Sequence, residues 1–144
     1  MHLARFTDLA LRAVVLLGAR SEGPRLTVDD VAQAVHAPRH HVAKAVHRLG
    51  QLGVLETVRG RAGGLELAAG AGATTVGWLV RELEGTGELV DCDQPPCPFR
   101  GDCRLRRALR AAQNAFLAAL DAVTISDLIA GTSVPLQLAP PPPR

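Results

Sequence analysis

Between residues 27 and 53 the chain carries two short amphipathic segments separated by only two residues, and this spacing constrains the fold most. Thr27-Val28-Asp29-Asp30 reads as a capping box, with Thr27 as cap and Asp30 three residues on, and opens a helix that runs through Val35. His36-Ala37 breaks it. Pro38 suits the first turn of the next helix, which extends to Leu49 or slightly beyond and stops near Gly50 and Gly53. Neither segment is long enough to stand alone, so each must bury its apolar stripe against neighbours. Two short helices across a tight turn predict a helix-turn-helix. The next residues agree with this: Val54–Val58 has strand character, Arg59-Gly60-Arg61-Ala62-Gly63-Gly64 is a Gly-rich tip with two arginines, and Leu65-Glu66-Leu67 alternates again. That hairpin is a wing.

The remaining segments complete the architecture. Residues 3–19 place Leu3, Phe6, Ala10, Ala13, Val14 and Leu17 at helical spacing and form a first helix. A loose connector is expected from Gly70 to Ala73. Thr74 or Thr75 then caps a helix holding Val76, Leu79, Val80 and Leu83 and ending near Gly85, and residues 86–102 read as irregular. From Cys103 to Val123, Leu105, Leu109, Ala112, Phe116, Leu120 and Val123 recur at steps of four, three, four, four and three. Such a stripe without an intrachain partner of equal length predicts a dimerisation helix. Thr124-Ile125-Ser126-Asp127 repeats the capping-box pattern and opens a last short helix. The expected fold is mainly α: a winged helix-turn-helix with a small β-hairpin wing and a long C-terminal dimerisation helix. Residues 1–70 are expected to form the DNA-binding region, 71–130 the cysteine loop and dimerisation helices, and 131–144 a disordered Pro-rich tail.

Composition narrows the function. A chain of 144 residues supports one compact domain with a modest core, and the formal net charge of +2 is too small to mark a polyanion binder by itself. Distribution is more informative: up to Arg61 there are nine basic residues against five acidic ones, with four histidines besides His2, and beyond it the balance reverses to seven against nine. No apolar run approaches the roughly 18 residues of a membrane span, and no signal peptide opens the chain, so a cytoplasmic location without membrane contact is expected. No Ser/His/Asp order, paired-carboxylate motif, phosphate loop or dinucleotide fingerprint points to catalysis, and the chain is not expected to be an enzyme.

On a helix over 38–50, Val42, Ala45, Val46 and Leu49 share one face, and His40, Lys44 and His47 the opposite one, with His41 and Arg48 beside them. A charged helix face is often merely solvated. Here it stands between a helix-turn-helix and an Arg-Gly wing, which together point to double-stranded DNA. Lys44 suits guanine O6/N7 and the imidazoles suit base edges; Arg39, His40 and Lys44 are the leading readers. Arg59 and Arg61 suit phosphates or the adjacent minor groove, and Arg12 a further phosphate.

All three cysteines, Cys92, Cys97 and Cys103, fall within twelve residues among polar and loop-forming neighbours, a poor setting for packing. An odd number in a reducing compartment argues against a disulfide framework. Three soft ligands fit iron–sulfur or zinc. Neither usual zinc pair is present and no histidine follows residue 47, so a local tetrahedral zinc site would need a distant fourth ligand.

Four segments together carry a resemblance: Leu3-Ala4-Arg5-Phe6-Thr7-Asp8-Leu9-Ala10-Leu11-Arg12, Val58-Arg59-Gly60-Arg61-Ala62-Gly63-Gly64-Leu65, Gly77-Trp78-Leu79-Val80-Arg81-Glu82-Leu83-Glu84-Gly85, and the spaced cysteines. Over about residues 1–130 the chain resembles the NsrR group of dimeric winged-helix regulators, relatives of IscR. The resemblance implies a homodimeric repressor that binds operator DNA and senses nitric oxide through a [4Fe-4S] cluster, one per subunit, so that loss of the cluster derepresses nitric-oxide detoxification genes. It also implies that Cys92, Cys97 and Cys103 ligate the cluster with Asp8 reaching across from the other subunit. From the residues alone, Asp8 and Arg12 form an ordinary i,i+4 surface pair. The IscR branch, with a [2Fe-2S] cluster, has a His three residues after the third Cys, where this chain has Arg106. A [2Fe-2S] or zinc-dependent regulator of redox or metal supply is the alternative. Trp78 reads as core or interface.

Overall fold

The computed structural model describes residues 2–20 and 23–132. The Pro-rich tail expected to be disordered lies, from residue 133 on, outside the described residues. The chain divides into two compact units, one comprising the N-terminal part to Thr74 together with the segment from Thr124, the other Thr75–Val123.

The first unit is a winged helix. Helix α1 (Arg5–Gly18) buries Leu9, Ala10, Ala13, Val14, Leu16 and Leu17, and its alanines let α3 (Arg39–Gln51) pack closely on it. Helix α2 (Val28–Ala34) opens on the expected reciprocal capping box: Thr27 N–H donates to Asp30 Oδ2 at 2.7 Å, and Asp30 N–H donates to Thr27 Oγ1 at 3.2 Å. The turn to α3 passes through His36 at φ 50°, a conformation uncommon for a side-chain-bearing residue. Pro38 is the N-cap of α3 rather than part of its first turn, and its carbonyl accepts from His41 and Val42 N–H. Val42, Ala45, Val46 and Leu49 point inward as their spacing requires.

Strands β1 (Leu55–Val58) and β2 (Gly64–Leu67) pair antiparallel with Leu55 opposite Leu67 and Val58 opposite Gly64, each one residue from the expected edge. Leu65 N–H donates to Leu26 O at 2.8 Å, so the linker before α2 adds a bridge to the wing that local spacing does not reveal. Gly64 makes this possible. Its φ is +151°, and a Cβ there would sit 2.8 Å from Leu26 O. The connector after the wing is a short 3₁₀ turn, Ala71–Ala73, rather than a loose segment. Helix α6 (Ile125–Ile129), opened by the Thr124/Asp127 capping box, follows the long helix in sequence but packs on α1 and buries Ile125 completely.

The second unit contains α4 (Val76–Glu84), capped by Thr75, and α5 (Arg104–Asp121), capped by Cys103, with the intervening residues 86–102 free of helix and strand as expected. The two helices pack at Gly77, where a Cβ would lie 2.2 Å from Asp121 Oδ1 and 2.8 Å from its backbone nitrogen. Arg81 grips the same carboxylate with both terminal nitrogens, Nη1 at 2.7 Å from Oδ1. This holds Asp121 below the usual carboxylate range, chiefly through the Arg81 hydrogen bonds.

The apolar stripe expected on the long helix is divided. Leu109, Phe116, Leu120 and Val123 are half-buried, whereas Leu105 and Ala112 are exposed, and none of the 18 residues of α5 is fully buried. The exposed seam runs instead through Leu105, Ala108, Ala112, Ala115, Ala119 and Ala122, again at alternating three- and four-residue steps. Among the described residues, no helix is long and apolar enough to cross a membrane.

Candidate nucleic-acid interface and cysteine loop

The first unit carries every residue singled out for DNA. His40, His41, Lys44 and His47 are exposed on α3, opposite its buried stripe. The His40 and His41 rings lie 4.1 Å apart between centroids. Desolvation, reinforced by His40, Arg5 and Lys44, pushes the His41 imidazole below its ordinary value and so favours its neutral form. Arg39 Nε donates to Asp29 Oδ1 at 2.8 Å with both side chains about two-thirds exposed, at 64% and 69%. An exposed pair of this kind stabilises the fold by about 0–1 kcal/mol, so freeing Arg39 from it costs little. Arg12 stands likewise, its Nε 2.8 Å from Asp8 Oδ1.

Arg59 and Arg61 are exposed at the wing tip. Arg25 fixes the returning strand beneath them: its Nε donates to Glu66 Oε2 at 2.7 Å and its Nη1 to Ala62 O at 3.3 Å. Sequence reasoning missed Arg25 because it lies in a linker and its partner is 41 residues away.

The second unit carries the cysteines. Cys97 N–H donates to Cys92 O at 3.1 Å and Cys97 O accepts from Arg100 N–H at 3.2 Å, so the loop turns on its middle cysteine. Asp91 Oδ1 accepts from the N–H groups of Asp93 and Gln94, at 2.8 and 3.2 Å, and shapes the approach to that turn. Cys103 caps α5, its Sγ accepting from Arg106 N–H at 3.4 Å. All three thiols are free and half-buried. Burial pushes the Cys92 thiol up; Cys97 and Cys103 add to this and Arg106 opposes it. A hollow of about 270 Å³, lined by Val90, Asp91, Cys92 and Arg106 among others, opens beside the first thiol. Among the described residues, no three ligating side chains stand at metal-binding distance. The donor set nevertheless suits a soft metal: three thiols on one polar loop, one of them at the start of a helix. Asp8, the expected fourth ligand, is in α1 of the first unit, paired with Arg12.

A second group missed by sequence reasoning is Glu88. It accepts from Arg106 Nε, from Arg106 Nη2 at 2.8 Å and from Arg110 Nη2 on successive turns of α5. These hydrogen bonds hold its carboxyl at about 2. Gln113 Nε2 donates to the neighbouring Gly87 O at 3.1 Å. The partners lie 18 to 26 residues apart, and no local pattern announces them.

A winged helix with a basic reading face and a loop of three thiols has close counterparts among known proteins. Residues 3–131 match the Rrf2 family model, described as an iron-dependent transcriptional regulator. The chain is 53% identical over 140 residues, covering 96% of it and 95% of the relative, to the HTH-type transcriptional repressor NsrR of Streptomyces coelicolor. It is 42% identical over 132 residues, covering 90% of each, to the HTH-type transcriptional regulator NsrR of Geobacillus kaustophilus. Among solved structures, CymR (YrzC), the global cysteine regulator of B. subtilis, aligns with a TM-score of 0.71 at 22% identity, covering 92% of this chain and 99% of that one. IscR of T. potens aligns with a TM-score of 0.71 at 16% identity, covering 93% of each chain. These two likenesses support the fold, and the family match and closely similar sequences supply the rest: the chain belongs to the Rrf2 family of iron-dependent transcriptional regulators.

Proposed function

We propose that this chain is a homodimeric, cytoplasmic transcriptional repressor whose operator binding depends on an iron–sulfur cluster and is released by nitric oxide. The observation that carries this reading is the loop of three free, half-buried thiols in a chain 53% identical to a protein named a repressor. Cys92, Cys97 and Cys103 hold a [4Fe-4S] cluster, one per subunit, with Asp8 of the partner subunit as fourth ligand. When bound, the cluster supplies iron that reacts with nitric oxide.

The chain's own residues do the remainder. The exposed Leu105–Ala122 seam of α5 supports pairing of two subunits, because small side chains permit close helix approach. Arg39, His40, His41, Lys44 and His47 enter the major groove, while Arg59 and Arg61 at the wing and Arg12 on α1 engage the backbone or minor groove. Asp8 has two competing partners, Arg12 four residues away in its own helix and the cysteine loop of the other subunit. Its engagement with the loop ties subunit arrangement to cluster integrity and leaves Arg12 free for a phosphate. A coupling of about 1–3 kcal/mol, ordinary for allostery, weakens operator binding roughly 5- to 150-fold when that tie is lost.

Anaerobic native mass spectrometry of protein purified without oxygen tests this directly. The expected mass is a dimer with two [4Fe-4S] units; a [2Fe-2S] or zinc mass would replace the cluster assignment, and no metal would remove the mechanism. Cys97→Ala should leave a folded dimer without cluster and without tight operator binding, and wild-type DNA affinity in that variant would refute the coupling. Asp8→Ala should retain cluster but react with nitric oxide at a changed rate.

A further inference from the structure

We propose that Glu88 is the positioning residue of the cysteine loop, a carboxylate staple that holds the Cys92 end of the loop against the helix that begins at Cys103. The inference rests on the reading of the three cysteines as ligands.

The three cysteines are held in different ways. Cys103 caps α5 and is fixed by the helix it begins. Cys97 is tied to Cys92 by one backbone hydrogen bond and to Arg100 by another. Cys92 stands at the far end of residues 86–91, which have neither helix nor strand to hold them. Its attachment comes from four residues upstream: Glu88 spans Arg106 and Arg110, one turn apart on α5, and Gly87 O accepts from Gln113 one turn further on. The Glu88 side chain is one-third exposed, and both guanidiniums meet a single carboxylate. A fork-to-carboxylate contact fixes orientation as well as distance, which an isolated surface pair does not.

Arg106 makes the geometry economical. Its backbone N–H donates to Cys103 Sγ while its guanidinium holds Glu88, so one residue bears on both ends of the thiol loop. Outer groups that orient ligands typically change metal affinity 10- to 100-fold when removed.

The test uses the full-length dimer and two readouts. In metal-free protein, alkylation of each cysteine by iodoacetamide is followed by peptide mass spectrometry. Glu88→Ala should speed modification of Cys92 several-fold and leave Cys103 unchanged, because α5 itself holds Cys103. Cobalt(II) alone is then titrated while thiolate-to-metal absorption is monitored: Glu88→Ala should weaken binding about 10- to 100-fold. Glu88→Gln, which keeps the shape and hydrogen-bonding oxygen, should lie between it and wild type. Equal Cys92 alkylation in wild type and Glu88→Ala would overturn the proposal, as would equal acceleration at all three cysteines, which would report general loosening. A wild-type dimer that holds no cluster would defeat the cluster reading while the alkylation result still decides the staple.

Discussion

The two units are held together by different physics. In the winged-helix unit the apolar stripes of α1, α2, α3, β2 and α6 all find partners, and Ala10, Ala13, Val14, Val31, Ala45, Leu49 and Ile125 are completely covered. In the unit from Thr75 to Val123, α4 buries Val76, Leu79 and Val80, but the 18-residue α5 has no fully buried residue and is tied by guanidinium–carboxylate pairs: Arg81 with Asp121, Arg106 and Arg110 with Glu88, Arg107 with Asp102. Packing closes the first; the second leaves a helix seam exposed and three thiols free. The difference separates a reading head covered by its own packing from a unit whose helix seam and thiols remain available.

The most severe challenge to this contrast goes through the reading head's core. Leu49, fully buried on α3, should cost about 2–5 kcal/mol as Leu49→Ala, lowering Tm and abolishing operator binding together. A loss under about 1 kcal/mol would mean that the first unit is not closed by packing. Next comes Gly77→Ala. The added methyl meets backbone as well as carboxylate of Asp121, so α4 and α5 must part, at about 1–3 kcal/mol. Hydrogen exchange should show this in α4 and α5 before α1 and α3; uniform loss would erase the distinction between the units.

The smallest effect is an acid titration. Glu88 has a folded value of about 2 against an ordinary 4.5, so its contribution is fully present above about 4.5 and is lost as pH falls towards 2. Exchange protection in the first turns of α5, where Arg106 and Arg110 hold Glu88, should fall across that window in the metal-free protein, while the buried amides of α1 and α3 keep theirs. Glu88→Gln should remove that carboxylate's share and leave that of Asp91, which the N–H groups of Asp93 and Gln94 also hold low.

Most of the first unit was legible in the chain itself. Both capping boxes form as written, α3 buries the four residues its spacing selects, and the wing appears where Arg59–Gly64 interrupts two alternating segments. These features depend on residues three or four apart, or on a turn of a few residues, and local sterics and hydrogen bonding suffice to fix them. The cysteine loop was legible as an irregular segment, since its Pro and Gly residues interrupt both helical and strand periodicity. By contrast, the periodicity of α5 identified the helix but not the face left exposed. That face is set by where α4 and the 86–90 segment cover it, and the free seam is alanine-rich rather than the leucine stripe the spacing favoured.

The order of elements, the inward face of α3 and the basic, solvent-exposed character of its opposite face thus follow from the residues alone. It took the folded chain to reveal that Arg25 secures the wing through Glu66, that Gly77 makes room for Asp121, and that Glu88 fastens the cysteine loop to α5. Those partners are separated by 41, 44 and 18 residues. Two charges or a glycine and a carboxylate at such distances carry no local signal, because their meeting depends on the path of all the chain between them.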